Sequence, residues 1–468
     1  MAHLAVKDGY HQLADRLNRF PQGAPATDRL FQVLALLFSE REAQLVSQLP
    51  MKPFTAKKAA QIWKVSETGA RQTLETLASR AILLDAEQHG EMTYVLPPPM
   101  AGFFEFSMMR VRDDIDQKLL SELFYEYITV EEDFMRALLL DGETPLGRIF
   151  VNEPAIEASN RRAQNAHDGL PNPPYSDGFD NPSGAQRDPL GLSQTSTSFT
   201  ATSLQILDYE RASEVIETAQ HMGVGVCYCR HKAQHVDQAC DKPLDICMTF
   251  GGTADSLIRH GYARRVDKVE GRDLLQKAYD LNLVQFGDNV REGVAFICNC
   301  CGCCCEAMIG LRKFAVEMPI HSSNFIPRVV NEMCNGCGKC ANICPVEAMT
   351  LVSANDPHKP NKRRAKLNED VCLGCGVCVR VCPTKGILLE ARTERVITPV
   401  NSLHRIVSMA IERGNFQDLL FDNRALFSHR AMAAVLGAIL KLPPIKQALA
   451  SQQIKSRYLE TLAQRVRV

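Results

Sequence analysis

"CNGCGKCANICP" (residues 334–345) and "CLGCGVCVRVCP" (residues 372–383) share one pattern, C-x2-C-x2-C-x3-C-P. The second copies the first at an offset of 38 residues, so the pair is an internal repeat. Working outward, all 18 cysteines of the 468-residue chain fall between Cys227 and Cys382. The flanks hold none. A cysteine-rich middle in a chain with no secretory signature points to metal or redox chemistry rather than to structural disulfides.

The rest of the composition is ordinary. Hydrophobic residues make up 45% and charged residues 23%, which suits a globular protein of about three domains. Lys plus Arg is 53 and Asp plus Glu is 54, so charge gives no support for a nucleic-acid or membrane partner. "MAHLAVKDGYHQLADRLNRF" has no apolar leader core, and the apolar run "AMAAVLGAIL" (431–440) falls well short of the ~20 residues a membrane span needs. The reading is a cytoplasmic protein with no transmembrane segment.

The paired runs resemble the bacterial-type ferredoxin domain with two [4Fe-4S] clusters, over about residues 325–392. Three cysteines two residues apart wrap three corners of a cube, and the fourth ligand comes from elsewhere. In that family the last cysteine of each run serves the other cluster. The resemblance thus implies one cluster on Cys334, Cys337, Cys340 and Cys382, and one on Cys372, Cys375, Cys378 and Cys344. Gly336, Gly338, Gly374 and Gly376 are expected to let the backbone approach the sulfides. Pro345 and Pro383 are expected to turn the chain away. Between the runs, Lys359, Lys362, Arg363, Arg364 and Lys366 either dock an acidic redox partner or form a solvated loop.

Ten cysteines remain. Cys227, Cys229, Cys240 and Cys247 lie within 21 residues, enough for one tetrahedral metal or one cubane. Zinc prefers C-x2-4-C pairs, which the Cys-x-Cys start does not supply, so iron–sulfur is favoured. Nearby, His221, His231, His235 and His260 are read as packing or hydrogen-bonding residues before ligands. Arg230 and Lys232 favour a negatively charged centre. "CNCCGCCC" (298–305) adds Cys298, Cys300, Cys301, Cys303, Cys304 and Cys305. Cys298 and Cys300 end a strand on one face while Cys301 points the other way. Cys303–Cys305 are expected to enter a helix start, where free N–H groups stabilise thiolates. The six either split between two centres, hold one unusual cluster, or share ligation with the Cys227–Cys247 group. The Cys300-Cys301-Gly302 triplet is similar to part of the cysteine-rich motif of heterodisulfide reductase subunits, but the distant CC and CxxC groups of that motif are absent. One or two further iron–sulfur clusters are expected here.

At the N-terminus, Leu30, Val33, Leu34 and Leu37 recur at helical spacing. Thr55 and Ser66 cap two further helices, and strands at Ile82–Leu84 and Met92–Leu96 flank "EQHG". The order resembles a winged helix-turn-helix. Lys57, Lys58, Lys64 and Arg71 are its candidate DNA contacts. Residues 1–99 carry 11 basic and 10 acidic side chains, so protein docking is favoured over DNA.

The expected fold is α+β and multidomain: 1–100 winged-helix-like; 101–156 helical, with Leu119, Leu120, Leu123, Phe124 and Ile128 buried; 157–203 a flexible insertion; 204–320 a cysteine-rich cluster-binding domain; 321–395 ferredoxin-like; 396–468 helical. "GVGVC" and "FGGTADSL" lack the G-x-G-x-x-G spacing, so no nicotinamide or flavin site is expected. The leading function is electron transfer, through at least two [4Fe-4S] clusters, to and from redox partner proteins. The alternatives are a reductase with its centre at 298–305 and a redox-responsive DNA-binding regulator.

Overall fold

In the computed structural model, the described residues are 8–88, 90–140, 142–168, 204, 206–314, 322–393, 395–396, 398–421 and 427–440. The fold is a mixture of helices and small sheets, as an α+β chain should be.

In the N-terminal part, Leu30, Val33, Leu34 and Leu37 all turn inward from the helix Asp28–Leu37. Thr55 and Ser66 accept hydrogen bonds from the Lys58 and Gly69 amides, which starts the helices Ala56–Trp63 and Glu67–Ser79. Strands β1 (Phe54–Thr55), β2 (Leu84–Gln88) and β3 (Glu91–Val95) form an antiparallel sheet in the order β1-β3-β2. The hairpin therefore starts two residues later than the apolar pattern placed it. Ile82 and Leu83 are instead buried in the turn before it.

Residues 101–156 are mainly helical, and Leu120, Leu123, Phe124 and Ile128 are buried. Leu119 is 41% exposed, a correction to the expected stripe. It precedes Leu120 on the helix, about 100° away around the axis, and so leaves the core face. The segment also supplies a strand, β4 (Gly147–Ile149), too short for a periodic signal. A helix, Glu153–Asp168, continues through the first part of the expected insertion. Residues 169–203 of that insertion lie outside the described residues.

β4 joins a central six-stranded antiparallel sheet with β5 (Met222–Gly225), β6 (Cys247–Phe250), β7 (Arg264–Arg265), β8 (Val284–Asp288) and β9 (Phe296–Cys300). The order is β4-β8-β9-β6-β5-β7. Residues 208–225 form a short turn, the helix Ala212–Thr218, and then β5. Asp85 ties the N-terminal hairpin to this layer: it accepts from the Ser256 hydroxyl at 2.6 Å and His260 Nε2 at 3.0 Å, and pairs with Arg259 at 2.9 Å.

Next come two antiparallel pairs: β10 (Phe325–Val329) with β13 (Ile387–Ala391), and β11 (Met349–Ser353) with β12 (Arg363–Leu367). Each cysteine run contains one short helix, Lys339–Ile343 or Val377–Arg380, just before its fourth cysteine. In the C-terminal region the helix Ser402–Arg413 packs back on earlier chain. Arg413 donates to the carbonyls of Pro21 at 2.6 Å and Leu138 at 3.2 Å. Residues 441–468 of the expected helical region lie outside the described residues. No described helix is long and apolar enough to cross a membrane.

Candidate metal centres

The repeat builds two matching cavities. Cys334, Cys337, Cys340 and Cys382 line one of about 340 Å³. Cys344, Cys372, Cys375 and Cys378 line another of about 370 Å³. The pairing is crossed because each run's fourth cysteine follows its short helix and so leaves the loop formed by the first three.

Backbone amides point at several of these sulfurs. Ala348 N lies 3.2 Å from Cys344 Sγ and Gly386 N lies 3.3 Å from Cys382 Sγ, the same i+4 relation in both halves. Ala365 N and Gly374 N reach Cys334 and Cys372 Sγ, each at 3.4 Å. Such bonds stabilise added negative charge on a thiolate site.

Gly336 and Gly374 hold φ of +72° and +65°. A Cβ at either would overlap a carbonyl oxygen, that of Arg363 or Phe325. What these two glycines admit is the neighbouring strand; the close approach was expected instead toward the cofactor. Burial pushes Cys372 up to about 11 and Cys375 up to about 12. Thiols in such apolar walls need a positive partner to ionise, which iron supplies. Four soft sulfurs around a shared hollow, with amides aimed at several of them, fit a cubane.

The other ten cysteines form two groups. One comprises Cys240, Cys301, Cys303 and Cys304, whose sulfurs all lie within 4.8 Å of one another. The other is a chain of thiol contacts running Cys227, Cys247, Cys298, Cys300, Cys305, Cys229. Within it Cys300 and Cys305 are 3.2 Å apart.

The four cysteines between 227 and 247 thus do not meet at one point; Cys240 leaves the other three. β9 is the reason. It ends at Cys300 with Cys298 and Cys300 on one face, so Cys301 begins the turn on the other side. Of Cys303–Cys305, only Cys305 borders the helix Glu306–Lys313, as its cap residue. Cys303 and Cys304 stay in the preceding turn.

Tyr228 anchors the six-thiol group. It lies between Cys227 and Cys229 in sequence and packs edge-on against Phe124 in the N-terminal core, centroids 5.7 Å apart. Arg230, 1% exposed, donates to the Asn299 carbonyl at 2.8 Å and the Pro243 carbonyl at 3.1 Å. Burial alone would lower its pKa, but the Cys227 and Cys247 thiols outweigh that and hold the guanidinium charged. Cys301 is lowered to about 3, chiefly by its hydrogen bond with Cys304 and further by Arg230.

The histidines serve elsewhere. His231 Nδ1 lies 2.7 Å from the Met108 carbonyl, His235 meets His231, His260 meets Asp85, and His221 meets Arg265. Sequence reasoning missed a buried ion pair beside the thiols, Lys232 with Glu306, their side chains 4% and 1% exposed. Glu306 directly follows Cys305, but nothing local shows that it is buried.

The six-thiol group abuts the ferredoxin-like part. Cys300 and Cys305 share an apolar cluster with Val346, Ala348, Cys372 and Leu373.

Residues 333–386 match the family model described as a 4Fe-4S dicluster domain. The match covers the two cysteine runs and the strands between them, so the chain contains a ferredoxin-type domain. No curated protein and no solved structure matches the chain.

Proposed function

We infer that the chain is an iron–sulfur electron-transfer protein working with redox partner proteins. The observation that carries this reading is the crossed pair of four-cysteine cavities. When bound, each [4Fe-4S] cluster would supply a one-electron couple. The protein's part is to hold and tune it: four sulfurs fix each site, and the Ala348, Ala365, Gly374 and Gly386 amides set its charge preference.

The two sites are not equivalent. Cys337 is exposed, which suits exchange with a partner. The Cys372 site is wrapped in the apolar cluster shared with Cys300 and Cys305, which suits transfer inward. Lys359, Arg363 and Lys366 are exposed on the connection between the runs, consistent with an acidic partner. The test is anaerobic purification with iron and sulfide counting, and EPR of the reduced protein. About eight ferredoxin irons with two coupled S = 1/2 signals are expected. Colourless, iron-free protein with all eight cysteines intact would overturn the reading.

A second reading, a reductase with its centre among the six thiols, is favoured by the Lys232–Glu306 pair. Burial raises Glu306, against the opposing pull of Lys232, leaving ionisable groups next to Cys305. A change in the EPR spectrum on adding an oxidised substrate would separate it from simple relay.

The N-terminal part is better suited to docking proteins than DNA. Its helix Glu67–Ser79 shows solvent a mixed face with Glu67, Arg71 and Glu75, and Arg71 pairs with Glu67 at 3.4 Å. The hairpin is held by Ser256, Arg259 and His260, so it is not free to enter a groove. A salt-dependent gel shift at submicromolar protein would reverse this assignment.

A further inference from the structure

The geometry points to a separate mononuclear zinc site formed by Cys240, Cys301, Cys303 and Cys304. Four thiolates around one zinc ion at about 2.3 Å are spaced about 3.8 Å from one another, the edge of a tetrahedron of that radius. Here Cys240 Sγ and Cys301 Sγ are 3.8 Å apart, and Cys303 Sγ and Cys304 Sγ are 3.7 Å apart. All four sulfurs lie within 4.8 Å of one another.

A cubane cannot use that spacing. Its thiolates attach to four different irons and are held farther apart than ligands that share one ion. The ferredoxin-like quartets show the contrast within the same chain. They surround cavities, and among the described residues no three of their thiols come as close together as this group does.

The local chain supports a closed site. The Cys240 amide donates to Cys304 Sγ at 3.3 Å, and Cys304 Sγ meets the Gln238 carbonyl at 3.8 Å. Four protein sulfurs fill the coordination sphere of zinc and leave no open position, so the role is structural. The ion would fasten the loop before β6 to the turn after β9. Gly302, inside that turn, lies against Pro345, so the fastening also sets how the cysteine-rich sheet meets the ferredoxin-like part. Binding expels the thiol protons to solvent and changes no oxidation state.

The full chain, purified without oxygen from zinc-replete medium, gives the test. Zinc, iron and sulfide are counted in the wild type and in Cys240→Ser, Cys303→Ser and Cys334→Ser. The expected wild type holds about one zinc. Cys240→Ser and Cys303→Ser lose it and keep their iron and reduced EPR signals, while Cys334→Ser loses iron and keeps zinc. Cobalt in place of zinc shows the visible d–d bands of a tetrahedral thiolate site, and both zinc-site variants abolish them. Cys303 is exposed, so its replacement leaves the core intact even if Cys240→Ser folds poorly. Zinc retained in both variants overturns the assignment. So does a wild type that holds no zinc, whether or not either variant loses iron. Neither result bears on the ferredoxin signals, so this site and the electron-transfer reading fail separately.

Discussion

Gly302 and Pro345 touch backbone to backbone: a Cβ on Gly302 would stand 2.8 Å from Pro345 Cα and 2.9 Å from its carbonyl oxygen. Gly302 separates Cys301 from Cys303, and Pro345 follows Cys344. The four-thiol group and the ferredoxin-type repeat therefore meet at a point where a side chain does not fit.

Gly302→Val is expected to force the two parts away from each other, at a cost of about 1–3 kcal/mol. Anaerobic thermal melting followed by the loss of cluster absorbance measures it. A variant as stable as the wild type would show that the contact yields freely.

The crossed lining of the two cavities makes a pairwise forecast. Cys382→Ala is expected to remove the same EPR signal as Cys337→Ala, and Cys344→Ala the same as Cys375→Ala, each leaving about four of eight ferredoxin irons. If Cys382→Ala instead pairs with Cys375→Ala, each run holds its own cluster.

The Lys232–Glu306 pair is buried, so removing one partner strands a charge. Lys232→Met is expected to destabilise the fold by about 3–5 kcal/mol, and adding Glu306→Leu to recover most of that. Anaerobic urea unfolding of the single and double variants decides. Equal losses in the two would mean that Lys232 acts through packing alone.

Asp85 carries a dependence on acid. Burial raises its pKa, but hydrogen bonds from His260 and Ser256, with Arg259, outweigh this and bring it to about 2. A depressed carboxylate stabilises the fold fully above its unfolded value near 4, and the benefit fades as pH falls through about 2. Asp85→Asn is expected to lose about 2 kcal/mol at pH 7 and to differ less from the wild type at pH 3. Urea unfolding of wild type and variant at both pH values, with metal removed from both because acid strips it from thiolates, checks the sign.

The ferredoxin-type domain could be read from the chain because its information is local: three ligands per run lie within seven residues and the run occurs twice. Helix starts at Thr55 and Ser66 were legible for the same reason, since a cap is made between residues three apart. The grouping of the other ten thiols was not. Cys240 meets Cys301 across 61 residues, and that meeting depends on β6 and β9 lying side by side in the sheet. Alternation along β9 did separate Cys298 and Cys300 from Cys301, but it could not name their distant partners. β4 escaped notice because three residues hold no period, and Leu119 because it sits one step beyond the edge of its helix's buried face.

The hold of Arg413 on Pro21 and Leu138 has a consequence for biogenesis. A growing chain cannot close this latch until residue 413 has left the ribosome, and by then all 18 cysteines have been made. Every thiol of the chain is therefore in place on a nascent polypeptide before the helix Ser402–Arg413 returns to the N-terminal part.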